Sequence, residues 1–266
     1  RWNSKVKRIL LIFFILLHAL WLSGCVQQPI DDGLSNQAQS ERVHQSAKIH
    51  TELAAEYFNR GQLDVALEEV AEALKAKSDY APAYNVLGLV NMALNENSKA
   101  LDNFEQAVRM APKNSEIQNN YGWFLCQRFP QRMDEAINYF MIAAKDPLYS
   151  TPEMSLANAG SCEIKRQKYD EALLFFQKAL SIQANYAPAL IGLVDVDFQR
   201  GNLILAKSRI AQLLQNSAST PESLLLAIRI EQAMGDLMAA DSYIFQLQKH
   251  FPDSKEAIAV REGKIR

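Results

Sequence analysis

The chain has 266 residues, 28 of them Lys or Arg and 30 Asp or Glu, for a net charge of −2. That balance gives no footprint for nucleic acid and, past the first few residues, no polybasic patch for a lipid surface. Apolar residues make up 48%, enough for a core, and with few glycines and prolines among abundant Leu, Ala, Glu, Gln and Lys the composition predicts mostly helix.

Arg1, Lys5, Lys7 and Arg8 precede an apolar run from Ile9 to Leu22 in which His18 is the one ionisable residue. The run is too short to span a bilayer with margin and ends in small residues, so residues 1–24 read as a secretory leader. Leu22-Ser23-Gly24-Cys25 at its end resembles the bacterial lipoprotein signal, in which the cysteine is acylated (palmitate among its chains) and becomes the first mature residue. A plain signal peptide or short anchor is the alternative. The resemblance implies a periplasmic protein held to a membrane through Cys25, and several acyl chains anchor stably where one does not. Val26, in place of an acidic residue after the cysteine, implies the outer membrane, periplasmic face.

Residues 25–46 are rich in Gln, Ser, Asp and Asn and offer little to bury, so they read as a lipidated flexible tether, with a coil dimension of roughly 25 Å for about 20 residues. From Ala47 onward the chain repeats. Ala66, Ala100, Ala136, Ala172, Ala206 and Ala240 recur at spacings of 34, 36, 36, 34 and 34 residues. A helix-turn-helix period near 34 is the tetratricopeptide (TPR) signature. Tyr84, Leu87 and Gly88 on one helix, then Ala100, Phe104 and Ala107 on the next, show the pattern best; Gly122 with Ala136, Phe140 and Ala143, and Gly160 with Ala172, Phe176 and Ala179, repeat it. The small residues mark where paired helices cross, and the aromatic fills the gap above. Gly61, Gly201 and Gly235 fall in the turns between helices. Gln127–Arg132, with Pro130, lengthens one turn, and Pro147 and Pro152 make the next link irregular. The expected fold is all-α: one right-handed superhelical solenoid of six TPR repeats over residues 47–266.

No constellation for catalysis is visible. His44, His50 and His250 have no metal-like spacing, and there is no phosphate loop or nucleophile elbow. No cofactor, metal or small-molecule substrate is expected; repeat solenoids present a groove to a partner protein. In TPR proteins the first helix of each repeat lines that groove, which nominates Asn85, Leu89, Met92, Asn119 and Trp123. An Asn can bracket a peptide backbone with its amide, and Trp123 is an apolar anchor if exposed.

Cys126 and Cys162 remain once Cys25 is set aside, and an exported chain favours a bridge between them. Cys126 lies four residues beyond Gly122 and Cys162 two beyond Gly160. On adjacent parallel helices that offset turns the two side chains in opposed directions, with Cα atoms roughly 4.5–6.2 Å apart. That is inside the disulfide range. Two buried free thiols are the alternative.

The lipobox, tether, six repeats and the stretch Asn119-Asn120-Tyr121-Gly122-Trp123-Phe124-Leu125-Cys126 together look like the type IV pilus biogenesis and stability lipoproteins, the pilotins of the pilus secretin. Asp146-Pro147-Leu148-Tyr149, Asn158-Ala159-Gly160 and Ser223–Arg229 extend the resemblance. It implies a non-enzymatic lipoprotein that binds type IV pilus secretin subunits and promotes their assembly in the outer membrane. A TPR lipoprotein of the β-barrel assembly machinery, or a periplasmic TPR adaptor for peptidoglycan enzymes, would share most of these features.

Overall fold

The structure, a computed structural model, describes residues 32–264. The leader, Cys25 and the first part of the polar stretch lie outside the described residues. Successive helices pair as A and B: α1 (Asp32–Asn59) with α2 (Leu63–Ala76), α3 (Ala81–Ala93) with α4 (Asn97–Met110), α5 (Ser115–Arg128) with α6 (Met133–Lys145), α7 (Pro152–Lys165) with α8 (Tyr169–Ile182), α9 (Ala187–Gln199) with α10 (Leu203–Asn216), and α11 (Pro221–Met234) with α12 (Leu237–His250). A short α13 (Lys255–Arg261) packs on the last pair. Six helical hairpins and no strand among the described residues make an all-α TPR solenoid. The sequence period is the period of the fold.

Local chemistry sets the helix limits. Pro82, Pro152, Pro188 and Pro221 sit in the first turn of α3, α7, α9 and α11, where a missing N–H costs nothing. The Asn114 side chain accepts from the Ile117 N–H at 3.1 Å, and Thr220 with Ser223 forms a capping box at the start of α11. Five residues before the recurring alanine the chain turns left-handed in five repeats, at Gly61, Asn95, Gln167, Gly201 and Gly235. In repeat three a 3-10 turn, Pro130–Arg132, replaces it. Arg132 pins that longer turn by donating to the Tyr121 hydroxyl at 2.8 Å and to Glu135 at 2.7 Å. Burial pushes the Tyr121 hydroxyl far above the ordinary phenol range, so it stays protonated and donates onward to Glu105 at 3.2 Å.

All six recurring alanines are buried, as are Phe104, Phe140 and Phe176. A Cβ at Gly160 would stand 2.7 Å from the Phe176 ring, and one at Gly192, in the next repeat, 2.2 Å from it. Phe176 thus fills the space between two repeats, and only hydrogen fits at both glycines.

α1 departs from the expected boundary. It starts at Asp32, so residues 32–46 are helical where a coil was expected. Gln, Ala, Glu and Arg in 37–42 propagate a helix once Ala47 and Ala54 anchor it against α2, because extension needs no new nucleus. The extension itself is solvent-exposed over 36–42. An edge contact between His44 and Tyr80, with ring centroids 5.3 Å apart, ties its base to the solenoid.

Candidate protein-binding groove

Each A helix packs against the A helix of the next repeat, whereas no two B helices of neighbouring repeats bring Cα atoms within 8 Å among the described residues. The A layer is therefore the tighter, inner one, and it carries the residues nominated for a groove.

The nominated residues separate into two kinds. Leu89, Met92 and Trp123 are half-buried and pack against the cluster that contains Phe104, Tyr121 and Phe124. With Phe58 and Ile164, which hold the position of Met92 in repeats one and four, they mark a partly exposed apolar strip along the inner layer. Asn85 and Asn119 are each only 2% exposed. The Asn119 carbonyl accepts from Ser155 Oγ at 2.9 Å and from Asn158 Nδ2 at 3.0 Å, and its amide reaches Asn120 Oδ1 at 3.4 Å and Met154 Sδ at 3.7 Å. Asn120 in turn donates to Asn85 Oδ1 at 3.4 Å. Asn119 is thus not an open peptide bracket. Its amide is spent holding α5 to α7, because a buried amide without partners would carry a desolvation cost. Asn85, equally buried, lines a cavity of about 250 Å³ with Thr51, Tyr80 and Ile117 and is no more an open bracket than Asn119.

The amide row from Asn158 through Asn119 and Asn120 to Asn85 crosses three A helices. A recurring Asn on the first helix of repeats two and three signalled it in the sequence, but Ser155 and Asn158, which make it continuous, carried no such signal. Beside the row, Cys126 Sγ and Cys162 Sγ are 2.16 Å apart, a disulfide with a Cα–Cα distance of 5.9 Å that joins α5 to α7. Ser115 Oγ donates to Asp146 Oδ2 at 2.6 Å at the same joint, holding the Asp146 carboxyl below the usual carboxylate range.

Among the described residues no group of three or more His, Cys, Asp or Glu side chains could hold a metal ion, and no helix is long and apolar enough to cross a membrane. Apolar side chains, amides and paired charges suit the surface to binding polypeptide.

Tetratricopeptide-repeat profiles match residues 51–115, 92–150 and 155–186. Proteins built from this repeat are typically interaction scaffolds. The chain is 26% identical over 243 residues to the type IV pilus assembly protein PilF of Pseudomonas aeruginosa, covering 91% of this chain and 94% of that protein. A solved structure from the functional characterization of Pseudomonas aeruginosa pilF superposes with a TM-score of 0.62 at 24% identity, over 83% of this chain and 99% of that one. The crystal structure of PilW, described as a widely conserved type IV pilus biogenesis factor, superposes with a TM-score of 0.66 at 33% identity, over 80% of this chain and 97% of that one. With a third of its residues shared along nearly all of PilW, the chain belongs to the TPR family of type IV pilus biogenesis factors.

Proposed function

We propose that this chain is an outer-membrane lipoprotein that acts as a pilotin: it binds subunits of the type IV pilus secretin and promotes their assembly at the membrane. The observation that carries the reading is the relationship to PilW along 97% of its length, joined to a partly exposed apolar strip on the inner layer of the solenoid. The lipobox supports the address. Acyl chains on Cys25 restrict the protein to one surface, and a partner held there meets other subunits at a raised effective concentration. Leu89, Met92 and Trp123 supply apolar contact for a secretin segment. Asn119 serves the groove indirectly, by fixing α5 against α7.

Two experiments test this. Cys25→Ala should abolish incorporation of a radioactive fatty acid and lower secretin multimers or send them to the wrong membrane. Equal labelling of both forms removes the lipoprotein reading. Leu89→Ala with Trp123→Ala should weaken secretin capture by the purified chain while helical content by circular dichroism holds. Unchanged capture by a folded double variant removes the groove. Gene deletion separates the readings: loss of pili and secretin multimers supports the pilotin, and general porin loss supports barrel assembly instead.

A further inference from the structure

The far end of the groove differs from the strip just described. Arg229 on α11 lays its guanidinium over the Phe198 ring of α9, 4.8 Å from the centroid. The two residues line a pocket of about 560 Å³ with Gln232, Ala233 and Leu237. No carboxylate among the described residues pairs with Arg229. Lys207 engages Glu231 at 2.7 Å and Asp236 at 3.6 Å, and Arg209 takes Asp197. Asp195, which holds the position in repeat five that Arg229 holds in repeat six, accepts from Gln199 at 3.0 Å. A half-buried guanidinium on an aromatic face, with its donors unspent, is arranged to receive a carboxylate.

The surface of repeats five and six is apolar at positions where other repeats are charged. Two residues before the recurring alanine stand Asp64, Asp134 and Asp170 in repeats one, three and four, but Ile204 and Met238 in repeats five and six. Asp134 pairs with Arg166 and Asp170 with Arg200 of the following repeat, each at 2.5 Å. The next members of that series are Ile204 and Met234. Ile204 is 81% exposed, Met238 87% and Leu237 64%, with Met234 also exposed. Exposed large apolar side chains on these two repeats, Leu237 at the pocket itself, mark an interaction surface.

We propose that repeats five and six form a second docking site, which receives a polypeptide segment carrying a carboxylate beside large apolar side chains. Charge complementarity fixes the occupant: Arg229 takes the carboxylate, and Phe198, Leu237 and Met238 take the apolar neighbours. The carboxylate is the side chain of an acidic residue within that segment. This site is independent of whatever the strip at Leu89, Met92 and Trp123 binds, and it stands whether or not the pilotin reading does.

The test uses the full chain and short fluorescent peptides read by anisotropy. One peptide is rich in leucine and glutamate with an amidated C-terminus, a second has each glutamate replaced by glutamine, and a third carries leucine and glutamine with a free C-terminus. The glutamate peptide should bind about ten- to a hundredfold more tightly than the other two, and equal or tighter binding of the free-terminus peptide overturns the proposal. Arg229→Gln should remove that difference and Arg229→Lys should keep part of it. Asp195→Asn, which removes a neighbouring negative charge, should tighten binding. Met238→Asp, at a position too exposed to threaten the fold, should weaken binding of every peptide. Equal affinity for charged and neutral peptides, or an Arg229→Gln variant that folds and discriminates as before, overturns the proposal. So does a wild-type chain that dimerises in solution and becomes monomeric with Met238→Asp, because the occupant is then a second copy.

Discussion

The joint between repeats three and four and the joint between repeats five and six solve the same packing problem with opposite means. The first carries the irregular spacing, the longer turn and the proline-rich link. It is reinforced by the Cys126–Cys162 bridge, by the Asn119 amide with its three partners on α7, and by the Ser115–Asp146 bond. The second keeps the regular 34-residue spacing and holds together by packing of Val194, Ile210 and Leu226, with the Lys207–Glu231 pair at its side. It leaves apolar surface open. Strong local fixation appears where the period is broken, and unspent surface appears where the period is kept. A repeat array is close to a sum of its repeats and their interfaces, so such local differences survive into the behaviour of the whole.

The comparison can be broken first at the aromatic wedge of the intervening joint. Phe176→Ala empties the space between Gly160 and Gly192 and should cost about 3–5 kcal/mol, seen as a lowered denaturant midpoint. A loss no larger than that of an exposed leucine would mean that the wedge does not bear on repeat four. Cys162→Ser should cost about 2–4 kcal/mol and open the link around residues 146–151 to proteolysis. Cutting elsewhere would show that another joint is the weakest. Gly192→Ala forces a methyl against the Phe176 ring and should cost about 1–3 kcal/mol. Ile204→Asp with Met234→Arg would continue the charged series and should shift stability by less than about 1 kcal/mol, as exposed pairs do. A large gain from that pair would mean that the open rim strains the solenoid.

Acid should probe the reinforced joint selectively. The Asp146 carboxyl has a lowered folded-state pKa, through Ser115 and the Leu148 N–H. Its contribution is present above the ordinary value of 3.8 and is lost as pH falls through the lower, folded value. Asp146→Asn should lower the melting temperature at neutral pH and flatten that part of the acid profile.

Much of this was legible before any coordinates. The alanine period specified six hairpins because each small residue sits at a helix crossing and each Phe above it fills a fixed volume. Gly61, Gly201 and Gly235 were readable as turns, yet Asn95 and Gln167 adopt the same left-handed conformation without the signature. Asparagine is the residue that most readily replaces glycine in that conformation, and only at Gln167 does the packing of the hairpin override residue preference. The extension of α1 was hidden for the opposite reason: polar composition reports the absence of burial, and an exposed helix buries nothing. The A-helix pattern placed Leu89, Met92 and Trp123 on the inner layer, where they stand half-buried. It was misleading for Asn119, since a residue type suited to bracketing a peptide is equally suited to bracketing Ser155 and Asn158. Arg229 drew no notice as a lone charge, because its meaning lies in Phe198, 31 residues away.

The bridge between α5 and α7 also has a mechanical meaning. A stack in which each unit touches only its neighbours stretches like a coil spring, each interface yielding in turn. The covalent link makes one coil of that spring inextensible, and the amide row stiffens the coils beside it. Tension applied between the two ends therefore cannot be shared evenly. The middle carries the load without lengthening, and the yielding falls to the two ends.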